Sequence, residues 1–306
     1  MDRFQEMQIF LAVAEEQGFA AAARRLKISP PSVTRAIAAM EVRIGTQLLS
    51  RTTRSLHLTE AGQGYLSDCR RILAELDEAE EAAAGSYSIP GGLLTVTAPV
   101  LFGELFVAPS LGDYLDRFAQ VNINALLVDR VVNMTDEGVD VAVRIGHLQE
   151  AGQQAIKVGE VRRVVCAAPA FLDRHGRPLH PEQLRGANIV TSSSSQLVSE
   201  WQFMDAGQAL SVAIEPRLVV TANNAAINLA RLGWGVTRVL SYQVASHVSD
   251  GELEIILEGF EPPALPIHVV FQKSSRVPAK VRTFVDFLAS RLGQDVALNP
   301  AIKRSV

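Results

Sequence analysis

Residues 18–62 read GFAAAARRLKISPPSVTRAIAAMEVRIGTQLLSRTTRSLHLTEAG, and their order decides the architecture of the chain. Four consecutive alanines, Ala20 to Ala23, favour a helix over 19–27 whose small side chains admit a second helix at close range. Ile28 and Ser29 interrupt it. Ser29 is a capping residue, and Pro30 suits a first helical turn, where no amide donor is needed. A second helix over 31–44 follows. Val33, Ile37, Met40 and Ile44 form its buried stripe, and Ser32, Thr34, Arg35 and Ala38 its opposite face. Gly45 ends it.

Two short helices around a tight turn, the second with a polar face and an early arginine, fit a helix-turn-helix. Leu48 and Leu49 return to the core. Arg51, Thr52, Thr53 and Arg54 make a turn rich in phosphate donors, and residues 55–58 alternate as a half-buried strand. Residues 21–60 hold seven basic against two acidic side chains, a net charge of +5 inside a chain of net charge −4. Local basicity of this kind is the electrostatic footprint of nucleic-acid binding. Spacing alone also fits a plain helical hairpin with a solvated face.

The word order settles that choice. AAAARRL, SPPSVTRAIAAME and IGTQLLSRTTRSLHLTEAG resemble the amino-terminal domain of the LysR-type transcriptional regulators over the first 60 residues or so, without a gap. Pro30 stands where that family often has Gln, and Leu49 where it often has Phe. The resemblance implies a winged helix-turn-helix that reads double-stranded DNA. Ser29, Pro30, Pro31, Ser32, Thr34 and Arg35 would meet the major groove, and Arg51, Thr52 and Arg54 the phosphates.

Upstream, Phe4, Met7, Phe10, Leu11 and Ala14 recur at helical spacing over 3–17 and support the pair. Downstream, 60–84 reads as one long helix. Leu66, Cys69, Leu73 and Leu76 repeat at coiled-coil spacing on it. Packing on its own domain is the plain reading of that seam. The resemblance implies instead a linker helix that pairs with its twin, giving a homodimer or homotetramer. Gly, Ser and Pro at 85–92 mark a hinge.

Beyond the hinge, strands alternate with helices. Strands are expected at 93–98, 121–128, 139–143, 187–191, 218–221 and 236–239, and extended chain at 156–167 and 265–272. Helices are expected at 102–118, 131–137, 170–175, 223–232 and 278–292. Alternation of this kind predicts a mostly parallel sheet covered by helices, here as two Rossmann-like subdomains joined by two crossings. VDVAVRIG, VRRVVCAAPAFLDRHGRP and ARLGWGVTRVL resemble the effector-binding domain of the same family, itself like a periplasmic solute-binding protein. Leu240 departs from a common proline. The fold class expected is therefore an all-α winged head with a linker helix, followed by an α/β effector domain. The boundaries are 1–59, 60–90 and 91–306. Subdomain I takes 91–162 and 267–306, and subdomain II takes 163–266.

Ligands of open α/β sheets bind beyond the carboxyl ends of strands. That places Pro99, Val100, Leu101, Phe102, Arg144, Ser192, Ser193 and Asn223 around an effector, with Arg238 added from the last phrase. The helix opening near Phe102 would favour an anion, and Arg144 offers a fork for a carboxylate. The expected partners are thus double-stranded DNA, a small organic effector with an anion among the options, and a second copy of the chain. Contact with RNA polymerase stays open.

Other classes fit less well. Hydrophobic residues make up 48% and charged residues 20%, as in ordinary globular proteins. No apolar run is long enough to span a membrane. The first residues do not resemble a secretory signal, and two cysteines make no disulfide framework, so a cytoplasmic location is expected. No G-x-S-x-G, H-E-x-x-H or phosphate-binding loop occurs, and Gly233-Trp-Gly235 lacks a third glycine and follows a helix, so neither an enzyme nor a cofactor is expected. His175 and His180 flank a turn without enough further ligands for a metal. The rival reading is a small-molecule-binding protein whose helical module docks to proteins and not to DNA.

Overall fold

Small side chains let the first three helices meet closely. In the computed structural model, which describes residues 2–51, 56–83, 90–148, 152–192, 199–274 and 277–299, α1 (Arg3–Glu15), α2 (Phe19–Leu26) and α3 (Pro30–Ile44) pack on one another. Ala22 and Ala23 are buried at the contact, with Ile9, Phe10, Val33, Ile37 and Met40 around them. Each of the larger side chains contributes about 1.5–3 kcal/mol by leaving water. The predicted stripe of α3 is the buried one, with Ile44 half-buried and Ala36 added.

Each boundary has a local cause. Lys27 closes α2 in the left-handed region (φ +55°), and Ser29 caps α3 by accepting from the Ser32 N–H at 3.4 Å. Proline follows at the first turn, so α3 begins one residue earlier than expected. Gly45 ends α3 with φ +82°. β1 (Leu49–Arg51) and β2 (Leu56–Leu58) then pair antiparallel as the wing. Glu41 ties the wing to α3, because its carboxylate accepts from the Leu48 and Leu49 N–H groups at 2.9 and 3.1 Å.

α4 (Glu60–Ala83) starts hard against that junction. Thr59 donates its hydroxyl to the Gln47 carbonyl at 2.7 Å and accepts from the Gly62 N–H at 2.9 Å, while its own N–H reaches Leu48 O at 3.0 Å. A Cβ on Gly62 would lie 2.0 Å from the Leu48 carbonyl oxygen, so only glycine permits this approach.

The chain divides into two compact units, Met1–Pro90 with Val132–Asp140, and Gly91–Val131 with Val141–Val306. In the second unit β3 (Gly92–Ala98) leads into a helix in three pieces: α5 (Val100–Phe102), a π-turn at Gly103–Val107, and α6 (Ala108–Arg117). β4 (Val121–Leu127), β5 (Val141–Ile145), β6 (Gln153–Val161) and β14 (Leu265–Gln272) complete a five-stranded sheet in the order β4-β3-β5-β14-β6. α10 (Ala279–Gly293) packs on it, with Phe284, Val285 and Leu288 in the core.

A second layer system follows β7 (Arg163–Ala167). It contains α7 (Pro169–His175), β8 (Val190–Ser192), a hairpin of β9 (Glu200–Asp205) and β10 (Gln208–Ala213), β11 (Leu218–Val220), α8 (Asn223–Arg231), β12 (Thr237–Leu240), α9 (Ser241–Ser249) and β13 (Glu254–Ile256). β7 sits between β12 and β13, and β8 pairs with β11. A Cβ on Gly235 would meet Asn188 O at 2.2 Å. The Gly233-Trp-Gly235 phrase therefore serves backbone contact.

Several expectations are corrected. The sheets are mixed: β14 runs antiparallel to β5 and β6, and β7 antiparallel to both its neighbours. The reason is that the two crossings enter from the other subdomain as reversed strands. Residues 131–137 are a turn and not a helix. Asn133 accepts from the N–H groups of Thr135 and Asp136 and donates its amide to Asp136, local bonds that compete with helix. Residues 153–167 break at Arg162 into two strands. The hairpin of 200–213, α9 and β13 were not anticipated. The hairpin's signal is alternation, with Trp201, Phe203 and Val212 inward and a turn at Ala206-Gly207, both with positive φ. Thr52, Arg54, Ser193 and most of the expected hinge lie outside the described residues, and so does the Arg51 side chain.

Candidate nucleic-acid interface and effector cavity

One exposed end of α3 gathers the predicted reading residues. Pro30, Pro31, Thr34 and Arg35 are exposed, and Ser32 half-buried. The hydroxyls of Ser29 and Ser32 share a hydrogen bond at 2.8 Å, Thr34 donates to the Pro30 carbonyl at 3.2 Å, and Arg35 Nε to the Pro31 carbonyl at 3.4 Å. These weak local bonds orient donors that a base edge or a phosphate could take over.

The positive charge of this unit is sorted. Arg25 is held by Glu15 at 2.7 Å and Glu16 at 3.4 Å, and Arg43 by Glu6 at 2.9 Å. These acids precede the basic stretch in sequence and cancel part of its +5. Arg24, Lys27 and Arg35 are exposed with no carboxylate partner among the described residues. On α4, Leu66 and Cys69 lie inside the core of this same unit rather than on an open seam. Tyr65 beside them meets the Phe10 ring at 5.7 Å between centroids. Leu73 is buried and Leu76 half-buried.

In the second unit a cavity of about 500 Å³ opens between the two sheet systems. Pro99, Arg144, Ser192, Asn223 and Arg238 all line it, as expected from the sequence, together with Thr191, Trp201 and Tyr242. Asp129, Arg130 and Arg163 also line it, and the sequence reading missed them. The signal for Arg163 was present. Arg162 and Arg163 are consecutive in extended chain, so they must face opposite ways. Arg162 turns to Glu261, with Nη1 at 2.9 and 3.0 Å from the two oxygens, while Arg163 turns to the cavity.

Val100, Leu101 and Phe102 are not cavity residues. Phe102 is fully buried in the core, its ring 4.8 Å from Phe106 and 5.3 Å from Tyr242, and Leu101 packs against the same core. The amide expected to meet an anion there is already taken: Val100 N–H donates to Asp129 Oδ1 at 3.0 Å. Asp129 Oδ2 accepts from Asn223 Nδ2 at 3.2 Å, and Asn223 Oδ1 accepts from the Ser192 hydroxyl. One carboxylate thus links both sides of the cavity.

Arg238 lies 4.9 Å above the Trp201 ring and donates to Gln202 O at 3.1 Å. Burial, with the nearby charge of Arg163, pushes its pKa down to about 9. Burial also lowers that of Arg163. Thr191 Oγ1 is buried without a hydrogen-bond partner. An anion would relieve all three.

The cysteines and the histidine pair have structural settings. Burial pushes the thiols of Cys69 and Cys166 up to about 11 and about 12, so neither is a ready nucleophile. His175 stacks on Phe171 while His180 caps a short 3-10 turn. No group of three or more metal-ligating side chains occurs among the described residues. No described helix is long and apolar enough to cross a membrane.

A basic helix-turn-helix in one unit and a cation-lined cavity in the other define a ligand-responsive DNA-binding regulator. Comparison with known proteins agrees. The bacterial regulatory helix-turn-helix model of the lysR family matches residues 4–63, and the LysR substrate binding domain model matches residues 89–293. An HTH-type transcriptional regulator of Xanthomonas campestris pv. campestris is 34% identical over 94% of this chain and 85% of its own length. CrgA, a LysR-type transcriptional regulator of Neisseria meningitidis, has a solved structure that is 28% identical with a TM-score of 0.61, covering 95% of this chain and 99% of that one. The Vibrio cholerae virulence activator AphB, at 22% identity and a TM-score of 0.62 over 94% and 99%, shares the fold. The chain belongs to the LysR family of transcriptional regulators. The docking-module alternative, with no DNA, is set aside by the match over residues 4–63.

Proposed function

We propose that the exposed start of α3 reads a dyad-symmetric promoter site and that the cavity lined by Arg144, Ser192, Asn223 and Arg238 takes the effector that controls it. The carrying observation is the cluster Ser29, Pro30, Pro31, Ser32, Thr34 and Arg35, all but Ser32 exposed, with Glu6, Glu15 and Glu16 engaged by Arg43 and Arg25. The chain works as residues 1–59 for DNA, 60–90 for pairing, and 91–306 for sensing, with lobes 91–162 plus 267–306, and 163–266. It acts in the bacterial cytoplasm as a homodimer or homotetramer, by binding and not by catalysis, and it meets RNA polymerase when it activates. With Leu66, Cys69 and Leu73 buried within the chain itself, half-buried Leu76 remains the seam position for a twin helix. An effector shifts the regulator only if it binds one arrangement of the lobes more tightly than another. Asp129, which joins Val100 to Asn223 across the cavity, is the contact such a ligand would compete with.

A nuclease footprint on the DNA upstream of the gene and its divergent neighbour, at two salt concentrations, tests this. Protection of two half-sites separated by whole helical turns is expected. A folded protein that protects nothing at low salt would overturn the reading.

A further inference from the structure

Several described arginines are paired with an acid, and others, such as Arg24, Arg35, Arg174 and Arg217, are exposed without one among the described residues. Arg25, Arg43, Arg162, Arg177, Arg231 and Arg291 each face a carboxylate, at distances down to 2.7 Å and, for Arg291 with Asp113, closer still. Arg163 and Arg238 are less exposed than most of these, yet no carboxylate pairs with either among the described residues. They are also neighbours. In the β7–β12 ladder Arg238 stands opposite Val165, and Arg163 opposite Leu240. The two arginines are therefore diagonal on one face of the sheet, within reach of each other's side chains. That face is the cavity wall.

We propose that this pair is a clamp for a doubly charged organic anion, so that the effector is a dianion and not a monoacid or a neutral molecule. This rests on the effector reading given above. Two partly buried like charges side by side repel unless a counter-charge lies between them. Burial lowers the pKa of both guanidiniums, and the charge of Arg163 lowers that of Arg238 further. Arg130 and Arg144 line the same cavity, and Asp129 is the acid on its wall. Asp129 is already engaged by the Val100 amide and by Asn223. The unpartnered Thr191 hydroxyl adds a neutral donor at the same wall. One carboxylate would leave the pair undercompensated, whereas two acidic groups, or one phosphate, match it. Val128, Ile145 and Leu265 supply an apolar surface for the body of the molecule.

The test uses the full chain and its thermal midpoint at constant ionic strength. Succinate, phthalate and inorganic phosphate are compared with butyrate, benzoate and chloride. The dianions are expected to raise the midpoint beyond chloride and the monoanions are not. A larger shift with the dicarboxylates assigns a dicarboxylic acid, and a larger shift with phosphate assigns a phosphate ester. Arg163→Gln and Arg238→Gln should raise the midpoint in chloride and weaken dianion binding roughly ten- to a hundredfold. Arg162→Gln, on the other face of the strand, should lower the midpoint and leave the dianion shift intact. Equal shifts with mono- and dianions, or none beyond chloride, would overturn the clamp. Footprints in the same buffers separate the two failures. Intact protection with no preference for dianions overturns the clamp alone, and absent protection overturns the regulator reading with it.

Discussion

The two units of this chain treat positive charge in opposite ways. The head directs Glu6, Glu15 and Glu16 onto Arg43 and Arg25, and leaves Arg24, Lys27 and Arg35 in solvent. The regulatory unit pairs several surface arginines with acids and holds Arg163 and Arg238, partly buried and without an acid partner among the described residues, in a cavity. Exposed cations are screened beyond about 10 Å at ordinary salt and give contacts that any phosphate backbone satisfies. Partly buried cations are poorly screened and costly, so they discriminate between ligands by charge. The difference teaches where selectivity resides. In the head it must come from the geometry of α3, and in the cavity from charge itself.

That contrast is sharpest at Arg35. Arg35→Ala should cost about 1–3 kcal/mol on a footprinted operator and less on random duplex, because a guanidinium on a reading face contributes base contacts. Parallel titrations on the two DNAs decide it, and equal losses would make Arg35 a phosphate contact only. Next in size is Glu6→Ala. It uncovers Arg43 and should lower the stability of the head by about 1–2 kcal/mol in a denaturant titration, at the low end because Arg43 keeps 34% of its side-chain exposure. Arg43→Ala should then leave the salt dependence of DNA binding unchanged, since Glu6 already holds that cation. Lys27→Ala should lower the salt slope by about one. A reversed pattern for Arg43 and Lys27 would break the division between paired and open cations.

How much of this the residues announced depends on the range of the interactions. The helix-turn-helix was legible because its causes are local: the alanine run, the Ser29 cap, the prolines, and the stripe of Val33, Ile37 and Met40. The α/β alternation was legible for the same reason. The acids on Arg25 and Arg43 lie in α1 and reach them only through folding, so the charge of residues 21–60 overstated what DNA meets. In the regulatory unit the sequence does not show that Asp129, from a distant loop, occupies the Val100 amide at the helix start beside Phe102. An extended stretch over 156–167 does not by itself single out Arg163, because its role depends on which face of the strand each arginine takes. The turn at 131–137 was misread because Asn133 bonds to its own backbone.

The smallest expected effect is in acid. His268 stands opposite Arg144 in the sheet, with Nδ1 buried and unpartnered. Burial, with Lys157 and His147 nearby, holds its pKa below the usual 6.5. The fold therefore prefers the neutral ring. This contribution is complete above pH 6.5 and fades as pH falls below it. Melting at pH 7.5 and 5.5 should show His268→Gln losing less stability on acidification than the wild type. An equal loss would mean that the ring carries none of the acid sensitivity.

The junction at Gly62 has a mechanical consequence. With the Leu48 carbonyl pressed on the backbone of α4 and Thr59 bonded to both sides, no slack is left between the wing and the first turn of that helix. A lever without backlash passes on small rotations. We expect a tilt of α4 to be carried to β1, where Glu41 joins the segment to α3. An alanine at position 62 would put play into the joint, and the head could then hold DNA while no longer feeling the torque.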